Sequence, residues 1–96
     1  MRLQRSEIDI IKSTLHEIID DAKIFLFGSR TDDTKKGGDI DLFVQTRKSI
    51  TLKDELKILS RMELRGIGRK IDLIIQTPQT PPQKLFETIL KEGILL

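Results

Sequence analysis

Three aspartates stand where charge is costly. Asp39 and Asp41 open the apolar run Asp39-Ile40-Asp41-Leu42-Phe43-Val44, and Asp72 lies near the start of another, Lys70-Ile71-Asp72-Leu73-Ile74-Ile75. A carboxylate in such a setting needs a partner, because desolvating it is unfavourable. Residues i and i+2 of a strand face the same way, about 6.6 to 7 Å apart at Cα. Asp39 and Asp41 therefore project together and can grip a common cation, and Asp72 joins them if its strand pairs alongside. Clustered anions raise one another's pKa, and a divalent cation relieves the repulsion. With no Cys and His16 as the lone histidine, the ligands are hard oxygens, which point to Mg²⁺ or Mn²⁺. Gly28-Ser29 supplies a second half. A strand-end glycine followed by serine offers backbone N–H groups and a hydroxyl with no Cβ in the way, which lets a turn approach phosphate oxygens. The plainer alternatives are a solvated strand entrance off Gly37-Gly38 for Asp39 and Asp41, an exposed acid paired to Arg69 or Lys70 for Asp72, and an ordinary turn for Gly28-Ser29.

The elements that must position these residues can be read from periodicity. Ser6-Glu7-Ile8-Asp9 resembles a capping box, and Ile8, Ile11, Leu15 and Ile18 recur at helical spacing, predicting a helix over about 6–21. Lys23-Ile24-Phe25-Leu26-Phe27 reads as a buried strand closed by Gly28-Ser29, the polar stretch 30–38 as a loop, and 39–46 as a second strand. Thr51-Leu52-Lys53-Asp54 starts a second helix, continued by Leu52, Leu56, Leu59 and Met62 and ended by Gly66 and Gly68. A third strand follows over 70–76. Thr80-Pro81-Pro82 then places proline in the first turn of a last helix carrying Leu85, Phe86, Ile89 and Leu90 and stopped by Gly93. The order α-β-β-α-β-α predicts an α+β fold, α/β-like, with helices on a small mixed sheet: a hairpin joins the first two strands and a helical crossover leads to the third.

Composition bounds the rest. Ninety-six residues imply one domain, spanning 1–96, and the charges nearly balance at 17 Lys+Arg against 15 Asp+Glu, a formal +2. No apolar run approaches the ~20 residues of a membrane span, and the acidic, charged start is no secretory signal, so a cytoplasmic protein with no membrane partner is expected. The aromatics are Phe25, Phe27, Phe43 and Phe86, which read as core and leave no stacking platform for single-stranded nucleic acid. A small polyanionic ligand fits this composition better than nucleic acid does. His16 is assigned no role.

Taken together, Gly28-Ser29, then Asp39-Ile40-Asp41-Leu42 after nine residues, then an isolated Asp72 on a later strand resemble the DNA polymerase β-type nucleotidyltransferase superfamily. The likeness is to its smallest members, the minimal nucleotidyltransferases that form the antitoxin half of HEPN/MNT toxin–antitoxin pairs. That resemblance implies that Gly28 and Ser29 contact the triphosphate; Arg30, directly after that turn, could bind the nucleotide and neutralise leaving-group charge, as could Lys35 or Lys36, its plainer reading being a surface cation. It implies that Asp39 and Asp41 bridge two Mg²⁺ ions, with Mn²⁺ as the substitute, and that Asp72 holds the catalytic metal and activates the attacking hydroxyl. The implied activity is transfer of a nucleotide monophosphate, AMP from ATP, to a hydroxyl of a partner protein, a cognate HEPN toxin, and the implied role is antitoxin. Two metal ions about 3.5 to 4 Å apart suit an in-line displacement at the α-phosphorus. Thr31-Asp32-Asp33 stands where small members commonly carry basic residues, and Gly38 where they commonly carry serine. Those departures motivate the alternative, a catalytically weak module that neutralises its partner by binding. An exposed sheet edge could support a homodimer or hetero-oligomer, but no residue requires one.

Overall fold

The first helical N–H groups have no partner within the helix, and side chains near the starts of two helices in this chain reach back to the capping backbone. The computed structural model describes residues 3–28 and 39–96, and the loop expected over 30–38 lies outside them. α1 (Arg5–Ile18) is capped at Gln4, whose backbone N–H donates to Glu7 Oε1 at 2.9 Å. The expected box at Ser6 is thus shifted two residues upstream, because Glu7 at the third helical position reaches back to Gln4. The helix also stops short of residue 21. Ile19 leaves helical geometry at φ −127°, ψ 89°, and the Asp21 carboxylate beyond it accepts from the Thr46 hydroxyl and the Arg47 N–H. His16 is exposed, with a ring nitrogen 3.0 Å from the Ala22 carbonyl.

α2 (Leu52–Leu64) carries its box where expected: Thr51 N–H donates to Asp54 Oδ2 at 3.0 Å and Asp54 N–H to Thr51 Oγ1 at 3.1 Å. The residues that carry its period are not all buried. Ile58 and Met62 are fully buried, whereas Leu52 and Leu56 are 70% and 58% exposed. α3 (Lys84–Glu92) begins after the prolines, not around them. A residue preceding proline is driven to extended backbone, which holds Pro81 out of a helix; Gln83 is extended too, at φ −138°, ψ 146°. Thr80 closes a turn instead, its N–H donating to the Thr77 carbonyl and its hydroxyl accepting from the Thr77 N–H, both at 3.0 Å.

The strands are β1 (Lys23–Phe27), β2 (Ile40–Gln45), β3 (Ile71–Gln76) and a two-residue β4 (Ile94–Leu95) that the sequence did not lead us to expect. They form one mixed sheet in the order β3-β2-β1-β4, with β1–β2 antiparallel and β2–β3 parallel as the hairpin and crossover require. One face, with Ile24, Leu26, Ile40, Leu42 and Val44, packs with Ile11, Leu15, Ile58 and Met62 of α1 and α2. On the other, Phe25 and Phe43 pack with Phe86 and Ile89 of α3, the Phe43 and Phe86 ring centres 5.0 Å apart. β2 is therefore covered on both sides, which is why its apolar run is almost continuous. Among the described residues no helix is long and apolar enough to cross a membrane.

α1 and α2 are also clasped by charge. Glu17 accepts from Arg65 Nη1 and Nη2 at 2.9 and 2.8 Å and from Arg61 at 3.3 Å, while Arg65 Nη1 donates to the buried Thr14 hydroxyl at 2.9 Å. The Arg65 hydrogen bond is the main cause holding the Glu17 carboxyl below its ordinary value. The Thr46 hydroxyl and then the Arg47 N–H do the same for Asp21, and the Thr51 N–H and hydroxyl for Asp54. A carboxyl whose folded pKa is lowered stabilises the fold above its unfolded pKa and loses that contribution as pH falls through the folded value. The melting temperature is therefore expected to be level from neutrality down to about pH 5 and to fall below about pH 4. Thermal melts across that range, with Glu17→Gln showing a shallower acid limb, check this. Removing the α2 cap with Thr51→Ala is expected to cost about 1 kcal/mol, read as a lower urea midpoint at unchanged slope.

Candidate active site

The two ladders fix the site. Antiparallel pairing sets Phe27 opposite Asp41, and parallel pairing sets Asp41 opposite Asp72. Residues in register on neighbouring strands about 4.8 Å apart send their side chains to the same face. Ile40, Leu42 and Val44 belong to the α1–α2 core, so alternation puts Asp41, Phe43 and Gln45 on the face of α3. Along that face the β2–β3 pairs run Asp41–Asp72, Phe43–Ile74 and Gln45–Gln76, the last joined by a side-chain hydrogen bond of 2.9 Å. Helix α3 packs over Phe25 and Phe43, leaving Asp41 and Asp72 half-buried at the end of the sheet where β2 and β3 begin.

Gly28 closes this end. It takes φ +97°, and a Cβ built on it would fall 2.1 Å from Asp41 Oδ2 and 2.7 Å from Asp41 Cγ. Gly28 thus lies directly against the Asp41 carboxylate. Ser29 and Arg30, expected to complete the turn after β1, lie outside the described residues, as do Lys35, Lys36, Gly38 and the stretch Thr31-Asp32-Asp33.

Asp39 behaves differently from its expected partner. It precedes the first ladder pair and is exposed. Among the described residues no group of three or more His, Asp or Glu side chains is disposed to hold a metal, so the structure brings together Asp41 and Asp72 and leaves Asp39 beside them. Two carboxylates still fit a hard divalent ion, since Mg²⁺ usually takes one or two from the protein and fills its octahedron with water and substrate phosphate.

Of the two cations that could pair with Asp72, Lys70 does so, Nζ to Oδ1 at 3.8 Å, while Arg69 turns to Glu7, Nε to Oε2 at 3.5 Å. Lys70 is the site neighbour that the sequence reading treated only as a rival explanation of Asp72. Its signal was the i, i+2 spacing that already tied Asp39 to Asp41. Cavities of about 590 Å³ beside Leu59, Ile67 and Ile71 and of about 520 Å³ beside Gln45, Arg47 and Gln76 do not include the carboxylates.

No match was found among curated proteins. Among solved structures, the chain is similar to one in the complex of tri-AMPylated Shewanella oneidensis HEPN toxin with MNT antitoxin. The TM-score is 0.65 at 21% identity, over 94% of this chain and 67% of the other, which establishes a common fold. The sequence itself matches the family described as "Polymerase beta, Nucleotidyltransferase" over residues 9–96. With nearly its whole length matched, and with the aspartates on adjoining strands beside a strand-end glycine, the chain belongs to the polymerase β nucleotidyltransferase family.

Proposed function

We propose that this chain transfers AMP from ATP to a hydroxyl of a partner protein, a HEPN-domain toxin, and thereby acts as its antitoxin in the cytoplasm. The observation that carries the reading is the in-register pair Asp41–Asp72 beside Gly28. The partner is suggested by the similar fold in the complex of an AMPylated HEPN toxin with MNT antitoxin. Asp41 and Asp72 would hold Mg²⁺ or Mn²⁺, with Asp39 as an outer ligand of a second ion. Such ions would supply charge neutralisation at the α-phosphate and at the leaving group. The Gly28 turn binds phosphate, and Asp72 accepts the proton of the attacking hydroxyl. The new bond runs from that oxygen to the α-phosphorus; the bond between the α-phosphorus and its bridging oxygen breaks, and pyrophosphate leaves.

A second reading draws on the exposed Asp39 and the absence of a three-carboxylate set among the described residues: a module that neutralises its partner by binding alone. Incubating the chain with α-labelled ATP, Mg²⁺ and the protein encoded beside it separates the two. Label on the neighbour supports transfer; tight binding with no label from any of the four nucleotides supports the binding module.

A further inference from the structure

We propose that Lys70 is a cation built into this site, neutralising its carboxylates before a metal arrives and then turning to the phosphates of the nucleotide. The inference rests on the nucleotidyltransferase reading above and deepens it. Lys70 stands two residues before Asp72, so strand alternation sends both side chains to the face that carries Asp41. Its position across the sheet is fixed as well. The Ile40 N–H donates to the Lys70 carbonyl at 2.9 Å, and extending the Ile40–Ile71 register by one residue sets Lys70 opposite Asp39. The lysine therefore has Asp39 across from it and Asp72 beside it, with its ammonium 3.8 Å from Asp72 Oδ1.

Two features make this contact exchangeable. The Lys70 side chain is 73% exposed, and an exposed ion pair contributes little, so a divalent ion at the carboxylates displaces it readily. The ammonium is also a compact point charge on a flexible stem, which suits phosphate oxygens as well as a carboxylate. Arg69 is not interchangeable with it, because its guanidinium is directed to Glu7 on α1. Lys70 would thus compete with a divalent ion for Asp72 before nucleotide binds, and would turn to the triphosphate once it is bound.

The test measures two affinities in the full chain: Mn²⁺ alone, and α,β-methylene ATP with Mn²⁺, an analogue that cannot release pyrophosphate. Lys70→Gln is expected to bind Mn²⁺ alone about two- to tenfold more tightly, since a like charge has been removed. It is expected to bind the analogue roughly tenfold more weakly, for loss of a charge-assisted phosphate contact. Lys70→Arg keeps the charge and should stay near wild type in both. Opposite signs are the signature, because a packing defect lowers both affinities together; thermal melts of each variant accompany the titrations. The proposal is overturned if Lys70→Gln leaves both affinities at the wild-type level or lowers both while wild type binds. If wild type binds neither Mn²⁺ nor the analogue, the nucleotidyltransferase reading fails first and this inference with it.

Discussion

Asp41→Asn and Asp72→Asn are each expected to lower nucleotide transfer by at least about a thousandfold, the scale on which a charge aimed at a developing phosphoryl charge acts. Neither change alters side-chain volume, and both residues are half-buried at the rim of the sheet, away from the two hydrophobic clusters. The melting temperature should therefore change little, since the exposed Lys70–Asp72 ion pair contributes little to stability. That pairing of lost activity with kept stability is the behaviour of a functional carboxylate and not of a structural one. Asp39→Asn should cost less, because Asp39 is exposed and outside the ladder. The assay is transfer of label from α-labelled ATP to the partner, run beside a thermal melt. If Asp41→Asn neutralised the proposed partner as well as wild type does, the binding module would replace the transferase.

What the sequence disclosed depended on how local each determinant is. Thr51 and Asp54 are three residues apart and cap each other, so the start of α2 was legible from those residues alone. The end of α1 was not, because Asp21 is drawn to Thr46 and Arg47 on a distant segment. Periodicity announced a helix at α2 but not which of its apolar residues are buried: Met62 is, with Ile58, while Leu52 and Leu56 lie round the helix from that stripe and are exposed, and only the position of the sheet decides between them. β4 has two residues, too few for any pattern. In the site, the Asp41–Asp72 pairing followed from a crossover that puts two parallel strands side by side, a rule of connection and not of contact. The exposure of Asp39 did not follow, since it depends on where the ladder begins. Lys70 was visible as an ion-pair partner, but its place opposite Asp39 needed the register.

Gly28→Ala is expected to lower transfer by about a hundredfold or more, which is the scale on which a displacement of about 1 Å in a positioned group acts. Two costs fall on the same atom. At φ +97° any side chain strains the backbone, by roughly 1 to 2 kcal/mol, and here the added methyl would also stand 2.1 Å from Asp41 Oδ2. Either the strand end shifts or the Asp41 carboxylate rotates away, and each response takes it out of line with Asp72. Gly66 separates the two costs. It has φ +119°, but a Cβ there meets nothing closer than Ile10 Cδ1 at 3.9 Å, so Gly66→Ala carries the backbone strain without the collision. Both variants should melt at lower temperature than wild type; Gly66→Ala should keep its transfer rate and Gly28→Ala should lose it. Equal loss in both would mean that backbone strain alone lowers activity and that the contact between Gly28 and Asp41 has no part in catalysis. Loss confined to Gly28→Ala would tie the phosphate-side turn to the metal-side carboxylate as one unit, since a single methyl group between them would then disable both.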